Sequence, residues 1–400
     1  MMICIHSSFL GSERHLLCGL AGSMRWSDTV PDDAWVLDRG MTWEHPRDIR
    51  TIDRFLSLGL RLDLPERFAS ADEAASVETS RPIHTVPRPV LLGFIWQLLL
   101  DLEAKESLLD DVYIIDHFLE IRRQLGDLRQ AHIDARLWDQ SIKDDPTPAL
   151  ESFEPDQQGL AQPVLYDQIS SITGRLTVHS GPQILTLRRD HRKLIRSSKR
   201  GRSVIMLDFV SHEPRVALGI AGVDAPEDIY AWFRDEHCES VSRDNAKVAI
   251  IGTLYGMSSS TLAEKLDTNL VQARAISEIV RSTFGIKTLE AALLEEIRRE
   301  GHIRSHFGRR IVPSSAAPGV LVNSYLQSTA MDLGMAGFRQ VLASLAGSMI
   351  EISPLFYIHD AMVVEVSDRR LSEVVDLSHR EITIPGCPGT YRFKVKELTS

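Results

Sequence analysis

The pattern of apolar and polar positions changes character along the chain. Up to about residue 90 apolar residues are scattered among prolines and acids without a repeat, so residues 1–90 predict no regular element and carry no recognisable chemistry. From Val90 to about Arg136 apolar groups return at helical intervals (Leu98–Leu100, Leu108–Leu109, Ile114–Ile115, Phe118–Leu119, Ile121), which predicts helices. Asp144-Asp145-Pro146-Thr147-Pro148 reads as a loop. Val204–Leu207 is then a run of four apolar residues, β-rich at its start, and predicts a buried strand that stops at Asp208. Helix-like Val216–Ala221 follows, and Asp228-Ile229-Tyr230 opens another helix carrying Trp232 and Phe233. Asn323 and Gln327 sit at i,i+4 on a helix predicted to run through Thr329, Met331 and Leu333 to Phe338. Phe356–Val366 reads as two short strands meeting at His359-Asp360.

Composition narrows the class. The 400 residues, 43% hydrophobic, are enough for a large core and two or three domains. The four cysteines (Cys4, Cys18, Cys238, Cys387) are far apart with no CxxC pair, which suggests neither a disulfide framework nor a zinc ribbon and points to a reducing, cytoplasmic setting. The longest apolar run, Val90–Leu100, is too short for a membrane span, and no basic residue precedes the apolar opening, so neither a membrane segment nor a secretory signal is expected. A net charge of −10 argues against a surface that coats nucleic acid everywhere. Between Arg188 and Arg202, however, eight Lys or Arg residues meet a single acid, Asp190, and that local patch suits phosphate.

Three stretches suggest chemistry. Asp208 ends a buried strand, where a carboxylate needs cationic compensation, and Glu213 and Arg215 follow closely. On a helix, Arg243, Lys247, Ile251 and Tyr255 recur at i+4 and share one face, with Ile250 and Leu254 beside them able to pack inward. Two cations followed by an aromatic suit a triphosphate at one end and a base or sugar at the other. Asp360 is a second carboxylate at a strand end, and two such acids brought together repel unless divalent cations lie between them.

In this order the motifs resemble the polymerase domain of family A DNA polymerases, over about residues 165–400. The first motif, D-x-S-Q-x-E-x-R, is matched by Asp208, Glu213 and Arg215; the second, R-x3-K-x7-Y-G, by Arg243, Lys247, Tyr255 and Gly256; the third by His359 and Asp360. Thr173-Gly174-Arg175-Leu176, Gly308-Arg309-Arg310 and the Asn323/Gln327 pair agree as well. The resemblance implies an α+β right hand of palm sheet, helical fingers and helical thumb. Residues 91–190 would be thumb-like, 191–223 the first part of the palm, 224–300 the fingers and 301–400 the rest of the palm. It also implies template-directed addition of dNTPs to a primer 3′-hydroxyl. Two Mg²⁺ ions, replaceable by Mn²⁺, would be held by Asp208, Asp360 and the carbonyl of Phe209. Arg243 and Lys247 would hold the triphosphate, Lys247 also protonating the leaving group, with Ile251, Tyr255 and Gly256 lining the nucleotide pocket. His359 would lie at the primer terminus, and Arg175, Arg215, Arg309, Arg310, Asn323 and Gln327 would contact DNA.

Glu213 distinguishes polymerase classes by the same resemblance. It stands where family A DNA polymerases use a glutamate to block a 2′-hydroxyl and phage-type RNA polymerases have a small residue. A single-subunit RNA polymerase or primase-like enzyme and a non-catalytic primer-template-binding domain are the competing readings. Departures from the family pattern are Ile251 for an aromatic, Ala361 for the Glu after His-Asp, Val210-Ser211 for Ser-Gln, and Gly319 for an Arg. The lone Asp101-Leu102-Glu103 lacks spaced partner acids, so synthesis without proofreading is expected, from a monomer with no processivity partner indicated.

Overall fold

The computed structural model describes residues 2–7, 13–19, 24–31, 34–37, 43–44 and 112–398 except Ile169. The chain divides into two compact units, residues 1–119 and 120–400.

In the first unit, β1 (Met2–Ile5), β2 (His15–Gly19), β3 (Met24–Ser27), β4 (Ala34–Leu37) and β5 (Trp43–Glu44) form one sheet in the order β3-β2-β1-β4-β5. The meander β1-β2-β3 is antiparallel, whereas β4 runs parallel to β1. Cys4, Leu17, Ala34 and Val36 pack on it. This corrects the expectation of irregular chain for the described stretches of residues 2–44; residues 45–90 lie outside the described residues. The strands are four or five residues long at most, too short for their alternation to stand out against the intervening loops.

The second unit is α+β. Helix α1 (Val112–Gly126) leads in, as the periodicity predicted. α2 (Ala135–Asp144) is capped by Asp134, whose carboxylate accepts from the amides of Arg136 and Leu137. From there to residue 200 the chain runs mostly in loops and two- to four-residue strands, so helix does not continue through the stretch expected to be thumb-like.

β6 (Arg202–Phe209) then enters the core, followed by α3 (His212–Ile220), α4 (Ile229–Glu236), α5 (Arg243–Leu254), α6 (Leu270–Thr283), α7 (Ile286–Glu300) and the 30-residue α8 (Pro318–Gly347). The hairpin β7 (Ile352–Ile358) and β8 (Ala361–Ser367) follows, and β9 (Phe393–Glu397) closes the unit. These four strands make an antiparallel sheet in the order β7-β8-β6-β9, with β6 between β8 and β9. One face carries Phe209 and Phe393, whose rings meet Phe338 of α8. The other carries Met206, Ala361 and Val363, covered by Phe153, Leu150, Ile184 and Leu194 from the short helices and loops that precede β6. Both faces are covered, which is why β6 reads as a continuous apolar run rather than an alternating one. Among the described residues no helix is long and apolar enough to cross a membrane.

Candidate active site

Asp208 is the penultimate residue of β6 and lies within the strand rather than beyond it. It pairs across the ladder with Ala361, and the Phe209 amide donates to the Asp360 carbonyl at 3.1 Å. Backbone pairing alone therefore sets Asp360 beside Asp208. The hairpin between β7 and β8 turns in two residues, with Ile358 opposite Ala361. His359 takes φ 52° there, and Ser211 takes φ 50° where the chain leaves β6 for α3. A left-handed non-glycine residue costs on the order of 1–3 kcal/mol, so the hairpin turn before Asp360 and the cap of α3 both hold strained backbone.

Asp208 is buried and Asp360 exposed. On β9, Lys394 is the register partner of Asp208 and Lys396 that of Met206, so both lysines share the Asp208 face. Lys394 Nζ lies 3.4 Å from Asp208 Oδ2, and Lys396 Nζ contacts the same oxygen. The compensation that a buried carboxylate demands thus comes from a strand whose role sequence reasoning missed. The alternation Phe393-Lys394-Val395-Lys396 was the available signal.

α3 follows directly. The buried His212 ring stacks on Phe209 with centroids 4.2 Å apart, and Nε2 donates to the Ala330 carbonyl at 2.7 Å. Burial lowers its pKa against the opposing pull of that carbonyl, Asp360 and Asp208. Glu213 accepts a hydrogen bond from the Tyr255 hydroxyl. Burial pushes its carboxyl above the ordinary range and Asp360 adds to this, while the Tyr255 bond and Arg175 oppose. Arg215 is fully buried. Its Nε donates to the Val210 carbonyl (3.0 Å), Nη1 to Ala225 (3.4 Å), and Nη2 to Pro226 (2.7 Å) and Glu227 (2.8 Å). All three nitrogens are taken, and Arg215 clamps the loop before α4 instead of reaching outward to DNA.

On α5 the row expected from the spacing is present. Ser242 caps the helix by accepting from the Asn245 amide. Arg243 pairs with Asp228 at 2.7 Å and lies 5.5 Å over the Tyr230 ring. Lys247 is exposed and Ile251 half-buried. Tyr255 ends the helix against Glu213, so the row is tethered at its far end to the turn of chain that follows Asp208. Gly256, at φ 73°, and Met257 return hydrogen bonds to Thr253 and Gly252 in a Schellman cap. A Cβ on Gly319 would lie 3.2 Å from Gly256 Cα, a tight contact that a side chain at 319 would have to relieve by a small shift.

The remaining candidates divide. Arg175 is exposed and acts electrostatically on both Glu213 and Tyr255. Asn323 and Gln327 are half-buried and bonded to each other at 2.8 Å. Arg310 is exposed, but Arg309 is committed to fully buried Asp332 through Nε (3.1 Å) and Nη2 (2.6 Å). Arg309 therefore neutralises an interior charge and does not project towards a DNA strand. Asp101 and Glu103 lie outside the described residues.

Residues 150–386, more than half of the chain, match the model of DNA polymerase family A. The chain belongs to that family. Among similar curated proteins, DNA polymerase I of Chloroflexus aurantiacus is 26% identical over 258 residues, covering 55% of this chain and 27% of its own. The thermostable DNA polymerase I of Thermus aquaticus is 27% identical over 245 residues (53% and 29%), and that of Thermus thermophilus 27% over 303 (68% and 34%). The chain spans about a third or less of the length of these relatives. Among solved structures, the POL domain of Pol1 from M. smegmatis in complex with DNA primer-template and dNTP superposes with a TM-score of 0.49 at 17% identity, covering 87% of this chain and 63% of that one.

The candidate site offers a divalent cation the carboxylates of Asp208 and Asp360, whose backbones neighbour each other across β6 and β8. Among the described residues no group of three or more His, Cys, Asp or Glu side chains is arranged to hold a metal. That set fits Mg²⁺, which is commonly bound through one or two carboxylates with water and substrate phosphates completing the shell.

Proposed function

We propose that this chain is a template-directed DNA polymerase that adds dNTPs to a primer 3′-hydroxyl. The observation that carries the reading is the pairing of β6 with β8, which joins Asp208 to Asp360 while Tyr255 tethers the Arg243–Tyr255 row to the residues just after Asp208. In this reading residues 191–223 and 301–400 form the palm and 224–300 the fingers, with part of 91–190 as thumb.

Asp208, Asp360 and the Phe209 carbonyl would hold two Mg²⁺ ions. Bound there, the ions supply Lewis acidity at the 3′-hydroxyl and at the departing pyrophosphate. Lys247, exposed midway along α5, binds the triphosphate and gives a proton to the leaving group. Arg243 joins it by exchanging Asp228 for phosphate. Glu213, held by Tyr255, closes the space a 2′-hydroxyl would need and so selects deoxynucleotides. Arg175, Arg310, Asn323 and Gln327 are the outward-facing or half-exposed groups available to primer and template, and His359 stands at the turn nearest the primer end. Synthesis proceeds without proofreading by this chain's own acids.

Extension of a labelled primer by the purified chain, first with dNTPs, then NTPs, then without primer, tests this. Extension with dNTPs that is lost in Asp208→Asn and Asp360→Asn supports it; extension surviving both variants refutes it. A second reading, a domain that binds primer-template without synthesis, is favoured by one observation: Asp208 and Arg243 both have intramolecular partners. Tight primer-template binding with no extension in Mg²⁺ or Mn²⁺ would establish that alternative.

A further inference from the structure

We infer that Lys394 and Lys396 are built-in counter-cations of Asp208, and that they set how readily the acid pair takes a divalent ion. The inference rests on the metal-dependent reading proposed above. Both ammonium groups converge on a single oxygen, Asp208 Oδ2. The convergence is fixed by the ladder. Lys394 lies opposite Asp208 and Lys396 two residues along, on the same face of β9. On the other side of Asp208 stands Ala361, whose methyl brings no charge. The two ammonium groups offset the formal charges of Asp208 and Asp360, with Glu213 a further acid close enough to act on Asp360.

An acid pair offset in this way attracts a divalent ion far less than an uncompensated one. An ion binding Asp208 would compete with the lysines for its carboxylate. The lysines are suited to release: their side chains are 45% and 32% exposed, so each ammonium can swing into water at small cost. Lys394 and Lys396 are thus positioning residues acting through Asp208. They hold the carboxylate in place and keep the acids from repelling each other before substrate arrives. Entry of an ion carried by a triphosphate then displaces them.

The test is direct metal binding, read by electron paramagnetic resonance of free Mn²⁺ titrated with the full chain, beside primer extension by the same preparations. Removing one ammonium about 5 Å from a divalent ion in a largely aqueous setting should tighten binding about tenfold. Lys396→Met and Lys394→Met are each expected to show that gain and the double variant more. Lys396→Arg, which keeps the charge, should bind as the wild type does, and Asp208→Asn added to the double variant should abolish the gain. The melting temperature should also rise more on adding Mn²⁺ in the double variant than in the wild type. Equal Mn²⁺ affinity in wild type and double variant overturns the inference, as does a gain that survives Asp208→Asn. Primer extension by the wild type reports separately on the polymerase proposal, so the two can fail independently.

Discussion

Two buried carboxylates lie on the same face of the central sheet, one near each end, and they are compensated in opposite ways. Glu365 sits opposite Val204 at one end. It accepts from the Ser198 amide at 2.9 Å and hydroxyl at 2.6 Å, and Arg202 Nε approaches it at 2.5 Å, with both charged side chains only 6% exposed. Burial pushes its pKa up, but the Ser198 bonds and Arg202 outweigh that and hold it below its ordinary value. Among the described residues Asp208, at the other end, pairs with two ammonium groups on flexible, partly exposed stems and with no arginine. A planar guanidinium with fixed donors makes a permanent pair, and a lysine point charge makes one that can be exchanged. One end of the sheet is fastened and the other is left able to react.

The contrast can be broken experimentally. The largest effect should come from Asp360→Asn or Asp208→Asn, lowering primer extension by about a thousandfold or more while the protein remains folded. Glu365→Ala should do the reverse. Arg202 would keep Glu351 as a partner at 3.0 Å, so the loss in denaturant unfolding should fall below the about 3–5 kcal/mol of a fully unpaired buried charge, with extension at low temperature retained. The pH dependence has a definite sign. A carboxyl whose folded pKa is depressed adds stability that is fully present above its ordinary value of 4.5 and is lost as pH falls through the folded pKa. Glu365→Gln should therefore flatten the acid limb of the stability curve below about pH 4.5, which thermal melts at stepped pH will read. Glu213→Ala sharpens the comparison on the functional side. It should raise ribonucleotide incorporation, and unchanged discrimination between dNTPs and NTPs would remove Glu213 as the gate. The smallest effect is Tyr255→Phe, which removes one hydrogen bond, about 1 kcal/mol, from the support of Glu213 and should loosen sugar discrimination only slightly.

Much of this arrangement was legible because strand ends and helix rows are local properties. Val204–Leu207, the His359-Asp360 turn and the Arg243–Tyr255 spacing each name their own geometry. What sequence concealed is what tertiary contact decides. Arg215 and Arg309 look like surface cations beside a DNA site, yet carbonyls fill one and Asp332 the other. Arginines placed next to conserved-looking chemistry carry no mark of whether their charge faces inward. Lys394 and Lys396 went unnoticed for the opposite reason: their importance lies in the register of β9 against β6, which a single strand does not encode. Gly319 read as a lost arginine until Gly256 was found against it.

The meeting of Gly256 with Gly319 has a mechanical meaning. Helices usually engage by ridges of side chains seated in grooves, and such teeth must unmesh before one element can turn on another. Where α5 ends against the start of α8, two stretches of bare main chain touch, and there are no teeth to unmesh. At that one contact no side chain stands between the two helices, so the end of the cationic helix, beside the glutamate–tyrosine tether, lies as near to α8 as main chain allows.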